Sequence, residues 1–152
     1  MILGVSPTKD AVVIAHTTGS GTALVITSIR SVQFQARSGD DLTALLRRLV
    51  DIFDRGGKSR RPTIALLASS SGRFKSSVEA IKAEAITELA AAESGLPVVR
   101  VTAASLKKVL GCATRQKWQA RAAERFNPKG RHERWSQGAA GATAAALKVS
   151  GN

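Results

Sequence analysis

Residues 2–35, ILGVSPTKDAVVIAHTTGSGTALVITSIRSVQFQ, decide the fold. Apolar, β-branched runs alternate there with short turn segments. Residues 2–5 (ILGV) predict a short buried strand, and 11–16 (AVVIAH) a second. Residues 22–35 (TALVITSIRSVQFQ) predict a long third strand. Pro7-Thr8-Lys9-Asp10 and Gly19-Ser20-Gly21 are turn chemistry. Strands joined by turns this short pair antiparallel, because a parallel pair needs a crossover of a dozen residues or more.

Beyond this meander the pattern changes to helix–strand alternation. Ser38-Gly39-Asp40-Asp41 opens a helix, with either aspartate placed to cap its first turn. Leu42, Leu45, Leu46, Leu49, Ile52 and Phe53 form its apolar stripe, and Gly56-Gly57 ends it. Residues 62–68 (PTIALLA) are continuously apolar, as a parallel strand covered on both faces should be. Ser76-Ser77-Val78-Glu79 reads as a capping box. The helix it opens runs to about Glu93 and predicts Val78, Ile81, Ala85 and Leu89 as its inner face. Glu79 belongs to the box, and Glu84, Glu88 and Glu93 to a solvated face. Residues 97–102 (PVVRVT) predict a fifth strand. Helices follow at about 103–110 and 113–126, then a basic, mobile loop at 127–134 and a small-residue helix at about 136–149. The fold class is α/β, with a five-stranded mixed sheet flanked by helices, and the reading expects one domain over residues 1–152.

Composition narrows the function. The chain has 152 residues, 43% hydrophobic, and carries a formal net charge of +12. Most of the excess lies beyond Leu96, where only Glu124 and Glu133 oppose the bases. A charge of this size favours a polyanionic partner, above all nucleic acid. Cys112 is the sole cysteine, which excludes a disulfide framework and predicts a small apolar filler. No apolar run approaches the ~20 residues of a membrane span, and the N-terminus does not read as a signal peptide. The expectation is a bacterial cytoplasmic protein without membrane, metal or other cofactor.

Three segments carry a family likeness. Ile2-Leu3-Gly4-Val5-Ser6-Pro7 resembles the opening strand of RuvC-type Holliday-junction resolvases, hydrophobic-Gly-hydrophobic-Asp-Pro. Gly138-Ala139-Ala140-Gly141-Ala142 resembles the start of their last helix, Asp-Ala-Ala-Asp-Ala. Ser77 to Arg100, Val101-Thr102 and Ser105-Leu106-Lys107-Lys108 resemble their central segment. The stretch from Gly72-Arg73-Phe74-Lys75 to Leu89 also looks like an uncharacterised bacterial RuvC-like family. The likeness implies an RNase H-like fold. It also implies a site where four carboxylates, two from strands and two from the last helix, hold two divalent metal ions. Here Ser6 stands for the first-strand Asp and Ala68, or Ser69, for the Glu ending the fourth strand. Gly138 and Gly141 stand for the helix acids. The resemblance therefore implies an RNase H-like protein without the nuclease centre. Two glycines in a helix predict close approach to a neighbour, the first strand.

The candidate nucleic-acid residues fall in two groups. Arg73, Phe74 and Lys75 follow the fourth strand, in a region that faces DNA in the resembled resolvases. Lys107, Lys108, Arg115, Lys117, Arg121 and Arg125 form the second group. It continues through Lys129, Arg131 and Arg134, interleaved with Trp118, His132 and Trp135. Lysine and arginine neutralise phosphates, and aromatic rings can stack on bases. If 113–126 is one helix, Trp118, Arg121 and Arg125 share a face. Lys58, Arg60 and Arg61 read as a solvated turn.

Three readings follow. The first is a catalytically silent binder of branched or structured nucleic acid, DNA in the first place. The second is a protein-interaction or scaffold module, possible as a homodimer. The third is a metal-dependent nuclease with relocated acids, for which Asp10 and Glu133 are the candidates.

Overall fold

Thr8 closes the first hairpin. Its hydroxyl donates to Ala11 O (2.8 Å) and Asp10 Oδ1 (3.1 Å) and accepts from Ala11 N (3.0 Å). The strands it joins are β1 (Ile2–Pro7) and β2 (Ala11–Thr18), antiparallel with Val5 opposite Ile14. In the computed structural model, which describes residues 1–55, 61–69 and 76–151, they belong to a five-stranded sheet. Its other members are β3 (Val25–Gln33), β4 (Thr63–Leu67) and β5 (Val98–Val101). The order is β3-β2-β1-β4-β5, with β2–β3 antiparallel and β1–β4 and β4–β5 parallel. This is the α/β sheet expected from the sequence. The third strand is shorter than 22–35. Gly19 and Gly21 take positive φ, Gly21–Ala23 forms a 3-10 turn, and Leu24 is drawn into the core before the ladder starts.

His16, on β2, is half-buried. Burial, and then the charge of Arg30, lower its pKa from the ordinary 6.5. The unfolded chain therefore takes up this proton first as pH falls. The His16 contribution should be complete above pH 6.5 and decline as pH falls from there through the lowered folded value. Thermal midpoints of the wild type and His16→Gln measured across that range should show a shallower acid decline in the variant.

Helices α1 (Gly39–Asp54) and α2 (Val78–Glu93) cover one face. Leu45, Leu49 and Phe53 of α1 are buried, as its stripe predicts. Its cap differs from the expectation. Ser38 Oγ accepts from Asp41 N (3.3 Å), while Asp41 Oδ2 accepts from Arg37 N (3.0 Å). Ser38 is therefore the cap, and Asp41 points backward. The Gly56-Gly57 stop, like Lys58 and Arg60, lies outside the described residues.

On α2 three expectations are corrected. The cap is Ser77, accepting from Ala80 N (3.1 Å), so Glu79 is exposed rather than boxed. The predicted inner face is the outer one: Val78, Ile81 and Leu89 are 63%, 51% and 47% exposed. Ala80, Ala83, Thr87, Ala90 and Ala91 face inward. Small side chains let α2 lie close to α1 and the sheet, where the larger residues would hold it off. Glu84 is buried as well, contrary to the solvated face expected of it, because Arg100 of β5 pairs with it there.

Helices α3 (Ala103–Val109), α4 (Trp118–Phe126) and α5 (Ala139–Ser150) cover the opposite face. The helix expected over 113–126 begins only at Trp118, after a turn closed by Gln116 N to Ala113 O (2.9 Å). The last helix begins three residues late. Residues 135–137 are a 3-10 turn, and Gly138 has φ +126, so Gly138 precedes the helix instead of lying in it. Every residue from Ala139 to Leu147 is buried. The predicted close approach is real: a Cβ on Gly4 of β1 would lie 1.8 Å from Ala142 O of α5. Half-buried Cys112 packs at the edge of this layer. Among the described residues no helix is long and apolar enough to cross a membrane.

Candidate nucleic-acid interface

Because β1 and β4 run parallel, their C-terminal ends open at one edge of the sheet. The first turn of α5 lies across that edge. A Cβ on Gly141 would come within 2.7 Å of Ser6 Oγ and 2.8 Å of Leu67 Cδ2, and one on Gly138 within 2.5 Å of Val13 Cγ2. Glycine at both positions lets the chain settle directly on the strands. A cavity of about 580 Å³ opens beside this contact, and Ser6, Leu67, Gly138, Gly141, Trp118 and Trp135 are among the residues that line it. Ala68 and Ser69 line an adjoining cavity of about 450 Å³, which shares Leu67, Trp118 and Gln119 with the first. A third, of about 650 Å³, shares Asp10 and Gln137 and extends to Phe34, Arg48 and Arg134. The three make one trough. The four positions matched to the resolvase acids, Ser6, Ala68, Gly138 and Gly141, all lie along it.

Among the described residues four bases and two acids line the trough. Lys9 and Asp10 stand at the central cavity, Lys107 at one end, and Arg48 and Arg134 with Asp41 at the other. Arg134 is the one described non-glycine residue with positive φ, at 55. With the Gln33 amide turned so that its oxygen faces the guanidinium, Gln33 accepts from Arg134 Nη1 (3.0 Å) and Nη2 (3.2 Å). Arg48 Nη1 donates to the Gln33 carbonyl (2.5 Å). Gln33 thus holds both cations at the same end.

The other predicted contacts are divided. Arg121 donates to Leu110 O (3.3 Å) and Glu124 (2.6 Å), and Arg125 to Gly21 O (2.6 Å) while lying 4.7 Å from the Phe126 ring centroid. Both line a separate pocket beside Val109 and Glu124, whereas Trp118 lines the central cavity. Trp118 packs against the core and lines the trough. Lys108, Arg115, Lys117, Lys129 and Arg131 are exposed and line none of the three cavities. Arg73, Phe74 and Lys75 lie outside the described residues; Ser69 and Ser76, which flank that segment, both line the 450 Å³ cavity. Asp10 sits at the junction of two cavities and accepts from Thr8 Oγ1, whereas exposed Glu133 lines none of them. His132 stacks on Trp135, with ring centroids 6.1 Å apart.

Sequence reasoning missed a carboxylate at the end of β4. Glu84 reaches there from α2, accepting from the Ser69 amide (2.9 Å), the Ser69 hydroxyl and Arg100. Arg100 also binds Glu88 at 2.5 Å. Both Glu84 oxygens are thereby engaged. The available signal was the i, i+4 pair Glu84 and Glu88 facing a strand whose one charged residue is Arg100. Lys9, Arg48, Gln119 and Gln137 were also missed, being single residues in turns or on helix surfaces.

No protein-family model matches the chain, and no curated protein matches it. Solved structures do. The structure of Thermus thermophilus RuvC superposes with a TM-score of 0.69 at 19% identity, over 97% of this chain and 91% of that one. The same organism's RuvC in complex with a Holliday junction substrate superposes with a TM-score of 0.70 at 16% identity, over 97% of this chain and 90% of that one. At these identities the likeness shows the fold, which is the RNase H-like fold of RuvC.

Proposed function

We propose that this chain is a single-domain member of an uncharacterised bacterial RuvC-like group that binds branched or otherwise structured DNA through phosphate contacts and does not cut it. The observation that carries the reading is the trough along the ends of β1 and β4, where Lys9, Arg48, Lys107 and Arg134 outnumber Asp10 and Asp41. The resolvase of matching fold is solved on a Holliday junction, and the charge of +12 suits a polyanion.

The residues do not fit a metal pair. Two divalent ions need several hard oxygen ligands. The matched positions offer one hydroxyl, a methyl group and two glycines, and Asp10 is the single acid lining the central cavity. Glu84 is tied up by Ser69 and Arg100. Among the described residues no group of three or more His, Cys, Asp or Glu could hold a metal ion. Residues 56–60, 70–75 and 152 contain none of these types.

The test titrates a labelled four-way junction and a plain duplex at two salt concentrations, with and without magnesium or manganese. Products are run on a denaturing gel. Tight binding to the junction should fall steeply with salt while the strands stay intact. Lys107→Ala and Arg134→Ala should each weaken binding and reduce the slope of log affinity against log salt by about one. Metal-dependent cleavage would overturn the silence, and no binding at low salt would overturn the nucleic-acid reading.

One observation favours the interaction-module reading: the exposed Val78, Ile81 and Leu89 of α2. Salt-insensitive self-association without DNA binding would support it.

A further inference from the structure

We infer that the central cavity receives one unstacked nucleobase of a bound strand, held between Trp118 and Trp135. This rests on the nucleic-acid reading above and adds what enters the site. The charge distribution argues for it. Among its described lining residues the central cavity has one base, Lys9, and one acid, Asp10, and so no formal net charge, while Lys107 lines the neighbouring cavity. A phosphate gains little by entering a cavity whose one base is offset by a carboxylate, and burying its charge there is costly. Phosphates therefore stay outside the cavity, and the part of a strand suited to the interior is a neutral planar one.

The lining suits such a group. Both indoles are half-buried, packed on the core yet lining the cavity. Trp135 Nε1 donates to the Gln119 carbonyl (3.4 Å), which ties the two lining segments together, and the stacked His132 ring steadies the Trp135 plane. Gln119 and Gln137 line the same cavity, and a glutamine side-chain amide offers donors and an acceptor to a base edge. The volume of about 580 Å³ lies within the range of small-ligand pockets.

The chain contains two tryptophans and no tyrosine, so its indole emission reports on this cavity alone. The probes are a short oligothymidylate and an equally long chain of abasic sites. The base-bearing strand should quench the emission and bind roughly tenfold more tightly, as expected for one stacked base. That preference should persist as salt is added, while the affinity of the abasic chain falls. Trp118→Leu keeps apolar bulk against the core and should abolish the preference while leaving abasic binding intact; Trp118→Phe should retain most of it. Equal binding of the two strands without quenching would overturn the inference and leave the phosphate-binding reading standing. So would a preference that survives Trp118→Leu. Failure of both strands and of the junction to bind would remove the underlying reading.

Discussion

Gly4→Ala should cost more than about 3 kcal/mol of folding stability, above the usual range for overpacking a core. The added methyl would lie 1.8 Å from Ala142 O and 2.7 Å from Ala142 C, with Ala146 Cβ at 3.1 Å. The first two are helix backbone atoms, so no rotamer change relieves the contact. The whole of α5 would have to lift from β1. That helix is buried from Ala139 to Leu147 and packs on β1, β2 and β4, so lifting it opens much of one face of the sheet. Domains of this size are stable by only about 5–15 kcal/mol, so a loss of this order removes a large share of the margin. Urea unfolding is the check. Gly39→Ala is the matched control, since a Cβ there meets nothing within 4 Å. A Gly4→Ala midpoint equal to that of the control would mean that α5 does not rest on the strand. The same variant bears on function, because α5 lines the central cavity through Gly141.

The second large effect is expected at Arg100. Arg100→Met should destabilise the chain by about 2 kcal/mol, and Glu84→Leu combined with it should restore much of that loss. The Glu84 side chain is 6% exposed and the Arg100 side chain 54%. Removing arginine strands a buried carboxylate whose remaining partner is Ser69. Breaking a fully buried pair typically costs about 3–5 kcal/mol, but water can reach the place this half-exposed arginine vacates, which lowers the figure. Leucine at position 84 removes the stranded charge and returns an apolar contact. A double-mutant cycle by urea denaturation measures the coupling. Strict additivity of the two changes would show that the pair does not exist in solution.

The fold was legible because its signals are local. Thr8 to Asp10 can only be a tight turn, and such turns force β1, β2 and β3 into an antiparallel meander. The helices after β3 and β4 are long enough for crossovers, so parallel pairing follows. Ser6, Ala68, Gly138 and Gly141 were placed by matching a pattern at the two ends and the middle of the chain. They meet because strand direction and the last helix bring those segments to one edge.

The misreadings share a physical cause. Helical spacing identifies a stripe but not which stripe is inward, and on α2 both faces carry apolar residues. Close packing chose the alanines. The same packing buried Glu84, because a carboxylate facing Arg100 across α2 and β5 is stabilised where an isolated one would not be. The hydrogen bonds of Arg121 to Leu110 O and of Arg125 to Gly21 O were likewise outside what spacing along one helix predicts.

The order of strands and helices along the chain and its basic character follow from composition, turn chemistry and periodicity, each of which acts over a few residues. The trough, the placing of Trp118 and Trp135 on one cavity, the gathering of Lys9, Arg48, Lys107 and Arg134 along it, and the burial of Glu84 do not. They depend on which surfaces meet when α5 settles on β1 at glycine distance. That contact joins residues far apart in the chain, where no local pattern carries the information.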